Sequence, residues 1–229
     1  MLSLLTKAGI FQPDQNMLML EYNIPVQFSN AILDDAEKIE SDISSEINNR
    51  RDFRNIYTIT VDDEDTKDID DAISLVNLEN GGYKISIHIA DPAHFISPDT
   101  LLDKEAYSRA TTIYLPERKI EMLPANLSED ICSLVEGQDR LALTVDIEFN
   151  SVLEVVNYDI FESVINVDKR YSYNDADLIC SSDEMFVLLS QLSTKLKSDR
   201  LNQGAIIFNF PELKIKITDD NKVVLGKYK

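Results

Sequence analysis

Two strand-like runs, Ala72 to Leu78 and Tyr83 to Ala90, flank Asn80-Gly81-Gly82, and no other pattern restricts the fold of this chain as strongly. Strand-forming residues on either side of an Asn-Gly pair specify an antiparallel hairpin, because the tight turn needs positive φ, which asparagine and glycine adopt at least cost. Further along, Leu141, Leu143, Val145, Ile147 and Phe149 alternate with Ala142, Thr144, Asp146 and Glu148, the period of a half-buried strand. A strand from Asn157 to Asn166 is placed to pair with it. Ile56 to Val61 is rich in β-branched residues and adds another, and Ile206 to Phe210 and Leu213 to Thr218 predict two more, with a turn at Asp219 to Asn221.

Helical patterns lie between these strands. Ile32, Leu33, Ala36, Ile39 and Ile43 share one face of a helix predicted from Asn30 to Asn49. Ser97 and Pro98 suit the N-cap and first turn of a helix over Asp99 to Ala110. A short helix is expected around Ser128 to Leu134, then Tyr173 to Ile179 and Glu184 to Asn202, the last closed by Gly204. Helices interspersed with hairpins predict an α+β fold, a mostly antiparallel sheet flanked by helices. Residues 1–50 read as a helical lead-in and 51–229 as the main domain.

Composition narrows the function classes. The chain has 229 residues, 44% hydrophobic, enough to bury a core. Its formal charge of -19 argues against a self-sufficient nucleic-acid binder, whose affinity comes from clustered Lys and Arg. Cys132 and Cys180 form no CxxC spacing and no disulfide framework, which suits a reducing cytoplasm. The apolar start, Met1 to Phe11, is too short to span a bilayer and reads as neither signal peptide nor anchor.

The acidic run breaks the strand pattern. Asp62, Asp63, Glu64, Asp65, Asp68, Asp70 and Asp71 are relieved only by Lys67. Two like charges about 4 Å apart repel by roughly 4 kcal/mol at an effective dielectric of 20, so a partly buried cluster needs cations or protons. A solvated acidic loop is the commoner fate of such a run. Against it, the run joins two strand-like segments where a tight turn would use Gly or Asn. An EF-hand loop is set aside, because Lys67 stands where glycine is required and Ile73 where the closing glutamate belongs. A carboxylate set that holds one or two Mg²⁺ ions, for phosphodiester cleavage, then becomes the reading of choice. An acidic protein-interaction module is the alternative from another class.

The ordered motifs around the run resemble a known family. Thr60-Val61-Asp62, Thr66-Lys67-Asp68-Ile69-Asp70-Asp71-Ala72 and His88-Ile89-Ala90-Asp91 are similar to the catalytic domain of the ribonuclease II (RNB) family. Leu102-Asp103-Lys104-Glu105-Ala106, Arg109, Tyr114-Leu115-Pro116, Met122-Leu123-Pro124, Leu127-Ser128 and Cys132-Ser133-Leu134 extend the likeness to roughly residues 55–215.

That resemblance implies a processive 3′-to-5′ exoribonuclease that hydrolyses single-stranded RNA to nucleoside 5′-monophosphates with Mg²⁺, or Mn²⁺ in its place. It implies that Asp62, Asp68, Asp70 and Asp71 are the catalytic, metal-holding aspartates. It further implies that Tyr114, Tyr173 and Phe208 contact RNA, and that His88 and His94 are structural. Glu121 departs from the proline that many relatives carry before Met-Leu-Pro. The family's domain also continues beyond the matched part, into a half with a phosphate-neutralising arginine, so that half is an implied partner and the domain here is expected to be incomplete. A catalytically inactive remnant is the runner-up.

Overall fold

The computed structural model describes residues 19, 21–115, 118–208, 213–217 and 223–227. Its centre is a seven-stranded sheet of β1 (Arg51–Asp52), β2 (Thr58–Asp62), β3 (Asp71–Asn77), β4 (Tyr83–Ala90), β7 (Asp139–Phe149), β8 (Val155–Asn166) and β9 (Lys169–Ser172). The order is β1-β8-β7-β4-β3-β2-β9. The four inner pairings are antiparallel; the outer ones, β1 on β8 and β2 on β9, are parallel. Two small hairpins stand apart, β5 (Ile113–Tyr114) with β6 (Lys119–Ile120), and β10 (Leu213–Ile217) with β11 (Val223–Lys227). The fold is α+β, as the alternation of hairpins and helices requires.

The Asn-Gly-Gly turn forms between β3 and β4 for two separate reasons. Gly81 takes φ +78°, and a Cβ on Gly82 would run into the Phe149 carbonyl oxygen of β7.

Helices α1 (Asn30–Glu37), α2 (Pro92–Phe95), α3 (Leu101–Arg109), α4 (Tyr173–Ile179) and α5 (Glu184–Asn202) surround the sheet, with a π-helical turn at Leu127–Ile131. Three of these differ from the sequence expectations. The helix predicted to run to Asn49 ends at Glu37, and Asp42 then accepts a backbone hydrogen bond from Ser44, an alternative that short polar side chains offer against a helix. The helix expected from Asp99 starts at Leu101, because Thr100, not Ser97, caps it by accepting from the Asp103 N–H, and Asp99 sits at φ +65°. The helix expected around Ser128 to Leu134 is only the π-helical turn. Residues 205–208 lie outside any strand, against the expectation for Ile206 to Phe210, while Phe210 and the Asp219 to Asn221 turn fall outside the described residues.

The two sheet faces are built differently. One is apolar, with Ile85 and Phe149 buried under Leu192 of α5. The other carries a buried chain of polar side chains across five strands. Thr58 Oγ1 donates to the Ile56 carbonyl at 2.8 Å and lies 2.7 Å from Ser74 Oγ. Ser74 lies 2.9 Å from His88 Nε2, His88 Nδ1 lies 2.7 Å from Thr144 Oγ1, and Thr144 lies 2.6 Å from Ser163 Oγ. Phe53, Ile69, Ala72, Leu134, Ala142, Ile165 and Val167 form the core against this face. A third cluster, with Ile32 and Ala36 of α1, Leu102 of α3 and Leu127 and Ile131 of the π-helical turn, packs the lead-in helix onto the domain.

His88 therefore has a structural place, and it makes stability depend on pH. Burial pushes its imidazole down from 6.5 to about 4, with the Asp146 charge opposing. A depressed folded pKa favours the neutral ring, so its contribution is complete above pH 6.5, falls as the unfolded chain takes up the proton, and is gone below about pH 4. The full difference corresponds to roughly 3 kcal/mol. Because Asp62, raised to about 6, gains stability over the same range, the histidine's share is read by difference: urea denaturation from pH 7.5 to 4.5 should show a loss in wild type relative to His88→Gln, and parallel profiles rule the histidine out. Among the described residues, no helix is long and apolar enough to cross a membrane.

Candidate active site

The acidic run is held as an ordered loop by contacts that sequence reading did not identify. Arg170 of β9 extends one guanidinium nitrogen, Nη2, to the carbonyls of Asp63 and Glu64, both at 3.1 Å, and of Thr66 at 2.6 Å. Ser133 Oγ donates to the Lys67 carbonyl at 2.7 Å and accepts from the Ile69 N–H at 2.9 Å. The Leu134 N–H reaches the Ile69 carbonyl, and the Ala90 N–H the Asp70 carbonyl, at 2.9 and 2.8 Å. Ile69, 1% exposed, anchors the segment in the core between Asp68 and Asp70. No one-dimensional signal announces Arg170, because it comes from a strand whose parallel pairing with β2 is non-local.

Asp62 ends β2 and Asp71 begins β3, so the strand termini place two of the four aspartates and the tethered loop the other two. Their fields overlap. Burial, then the charge of Asp71, with smaller pushes from Asp70 and Asp68, raises Asp62 to about 6, while Arg170 opposes. Asp62 Oδ2 is buried with no hydrogen-bond partner. Loss of water around the carboxyl, then Asp68 and Asp71, also raises Asp70, although the residue as a whole keeps an exposed surface. Asp68 goes the other way: burial pushes it up, but the Tyr114 hydrogen bond and Lys119 outweigh that and hold it below the ordinary carboxylate value.

Tyr114 donates its hydroxyl to Asp68 Oδ2 at 2.7 Å, and Lys119 Nζ lies 3.3 Å from Oδ1. Asp68 and Asp70, with Ile89, Pro92, Thr111 and Tyr114, line a groove of about 530 Å³. Tyr114 is 68% exposed, so its ring stands open on that wall. Tyr173 begins α4 one residue after Ser172, the register partner of Asp62, and so emerges at the same end of the sheet. Phe208, 73% exposed, is not brought to the aspartates by any strand or helix; Ile206 and Ile207 before it line a separate apolar groove under α5. His94 lies beside Arg50 and Phe95 and is not among the residues lining the groove.

Whether these residues suit a hard cation can be judged from the cluster itself. All four donors are carboxylates, one carries a buried orphan oxygen, and two are raised in part by mutual repulsion that a bound cation would relieve. Among the described residues, however, no three His, Cys, Asp or Glu side chains are gathered as a ready-made metal cage. Asp68 shows one reason, since both of its oxygens are engaged by protein donors. The donor chemistry suits a hard divalent ion, and in this structure Tyr114 and Lys119 hold Asp68.

Fold and site together define a class: an α+β domain with an all-carboxylate centre at the end of its sheet. Residues 50–229 match the RNB domain, and the chain belongs to the RNB family. It is 35% identical over 222 residues to ribonuclease R 1 of Lactococcus lactis, covering 90% of this chain and 27% of that protein. Against the human exosome complex exonuclease RRP44 it is also 35% identical over 222 residues, covering 93% of this chain and 23% of that one. The RNase R of Mycoplasma genitalium, solved in complex with double-stranded RNA, superimposes with a TM-score of 0.83 at 25% identity, over 93% of this chain and 40% of that one. The chain thus spans about a quarter of the length of these curated relatives, whose names are those of a ribonuclease and an exonuclease.

Proposed function

We propose that the chain is the carboxylate-bearing part of a 3′-to-5′ exoribonuclease domain that acts on single-stranded RNA with a free 3′ end and releases nucleoside 5′-monophosphates. The observation that carries this reading is the shared groove: Asp68 and Asp70 lie in the same 530 Å³ cleft as the open ring of Tyr114, so cutting and gripping groups adjoin. Asp62, Asp68, Asp70 and Asp71 would hold Mg²⁺, or Mn²⁺ in its place. When bound, two such ions supply an activated water and charge stabilisation for in-line hydrolysis of a phosphodiester.

The protein's own contribution is placement. Tyr114 offers a face on which a terminal base stacks, an interaction worth about 1–3 kcal/mol per base and indifferent to sequence. The family likeness assigns Tyr173 and Phe208 to the same grip; Tyr173 emerging at the aspartate end of the sheet supports its part, while Phe208 is not among the residues lining the groove. The rest of the catalytic domain, with its phosphate-neutralising arginine, is supplied by a longer parent chain or a second polypeptide, which also reconciles the charge of -19 with an RNA substrate.

A second reading, a remnant that binds metal or RNA without turnover, draws on the engagement of both Asp68 oxygens. A chimera separates the two. Residues 50–229 replace the matching segment of Lactococcus lactis ribonuclease R 1, and single-stranded RNA labelled at its 5′ end is the substrate. Stepwise Mg²⁺-dependent shortening with 5′-mononucleotide release is the expected result. A folded chimera that binds RNA and releases no mononucleotide with Mg²⁺ or Mn²⁺ establishes the remnant instead.

A further inference from the structure

Tyr114 and Lys119 are cross-strand partners in the β5–β6 hairpin, and both reach the same carboxylate. Residues opposite each other in an antiparallel pair project to one side, so a single hairpin grips Asp68 by both oxygens. The grip is polar and partly exposed, with the Tyr114 side of it open to solvent. Lys119 also has a second seat. Its ammonium lies 2.7 Å from Glu129 Oε1 and 3.1 Å from Glu121 Oε1, a pair that would hold the cation without Asp68. Glu129 additionally meets Lys67 at 3.5 Å.

We infer that Asp68 is a two-position carboxylate: the β5–β6 hairpin holds it through Tyr114 and Lys119, and a divalent ion at the aspartate cluster takes it from them. Lys119 then rests on Glu121 and Glu129, and the Tyr114 hydroxyl is released. The inference builds on the metal-holding role proposed for the aspartates. It makes Lys119 and Tyr114 positioning residues that set metal affinity. It also couples metal loading to the grip on RNA, because the tyrosine that surrenders Asp68 is the one whose ring faces the groove.

Competition of this kind has an unusual mutational signature. Tyr114→Phe removes one charge-assisted hydrogen bond to Asp68 without changing any charge, and should tighten Mn²⁺ binding by about tenfold. Lys119→Met should tighten it by at least as much. Glu129→Gln should weaken it several-fold, since Lys119 loses its alternative seat and leans harder on Asp68. Simple long-range electrostatics predicts the same signs for the two charge changes, so the combination Lys119→Met/Glu129→Gln is decisive. With Lys119 gone, the Glu129 substitution should have no further effect on affinity.

The measurement is calorimetric titration of the full chain with Mn²⁺, and again with Mg²⁺, on wild type, these variants and Asp70→Asn. The expected outcome is tighter binding in Tyr114→Phe and Lys119→Met, and a Glu129 effect that vanishes when Lys119 is absent. Metal binding that depends on Asp70 but is unchanged or weaker in Tyr114→Phe, or a Glu129 effect that persists without Lys119, overturns the two-position carboxylate and leaves the metal site standing. Binding that is absent from every protein, or indifferent to Asp70→Asn, overturns the metal site and the inference with it.

Discussion

Asp70→Asn in the chimeric enzyme is expected to lower the rate of 5′-mononucleotide release by about 10³-fold or more while leaving affinity for single-stranded RNA within a few-fold. Asparagine is nearly isosteric, and the backbone at this position is fixed by the Ala90 N–H on the Asp70 carbonyl, so the loop should keep its shape. What changes is one negative charge, and one proposed anionic ligand, in a cluster whose neighbouring carboxylates already help to raise Asp62 and Asp70. A loss of that size corresponds to about 4 kcal/mol of transition-state stabilisation. Single-turnover kinetics with saturating RNA reads the rate, and filter binding reads the affinity. A variant within tenfold of the parent would remove Asp70 from the chemistry.

Ile69→Ala should have the largest effect on stability near the site, roughly 2–5 kcal/mol, because its side chain is buried among Phe53, Leu134 and Val167 and leaves a cavity when cut back. The same side chain sits between Asp68 and Asp70, so metal affinity should fall as well. Ile85→Ala is the matched control, with similar burial on β4 against Phe149 and Leu192 and no acidic neighbour in the chain. Urea denaturation should rank the two variants alike, while metal titration should separate them. Equal metal affinity in both would show that the core does not position the carboxylates.

Local chemistry made much of the fold legible. The β3–β4 hairpin follows from Asn80-Gly81-Gly82, and α4 and α5 lie where their patterns predict, because caps such as Asp183 and the positive φ of Gly204 are properties of the nearby chain. The shortened α1 shows the limit: apolar Ile39 and Ile43 continue the helical period, but Asp42 and Ser44 prefer each other. For the site, the four aspartates could be picked out by the ordered motifs around them. Their tethers could not. Arg170 reaches the loop across more than a hundred residues of sequence, and Lys119 reaches Asp68 only through a hairpin whose strands, two residues each, are too short to give a pattern.

The row of hydroxyls and imidazole beneath the sheet has a direction as well as a position. With Thr58 donating to the Ile56 carbonyl, Ser74 has only its own proton to give to Thr58, and so must receive one from His88 Nε2. His88 Nδ1 then accepts from Thr144, and Ser163 gives its one proton to Thr144 at 2.6 Å in preference to the Ala142 carbonyl, which lies farther off at 3.3 Å. One carbonyl at the edge of β2 thereby selects the tautomer of a ring two strands away. In nitrogen NMR, that ring should show one protonated and one bare nitrogen throughout the neutral range, and replacing Thr58 with valine should blur the distinction without touching the histidine.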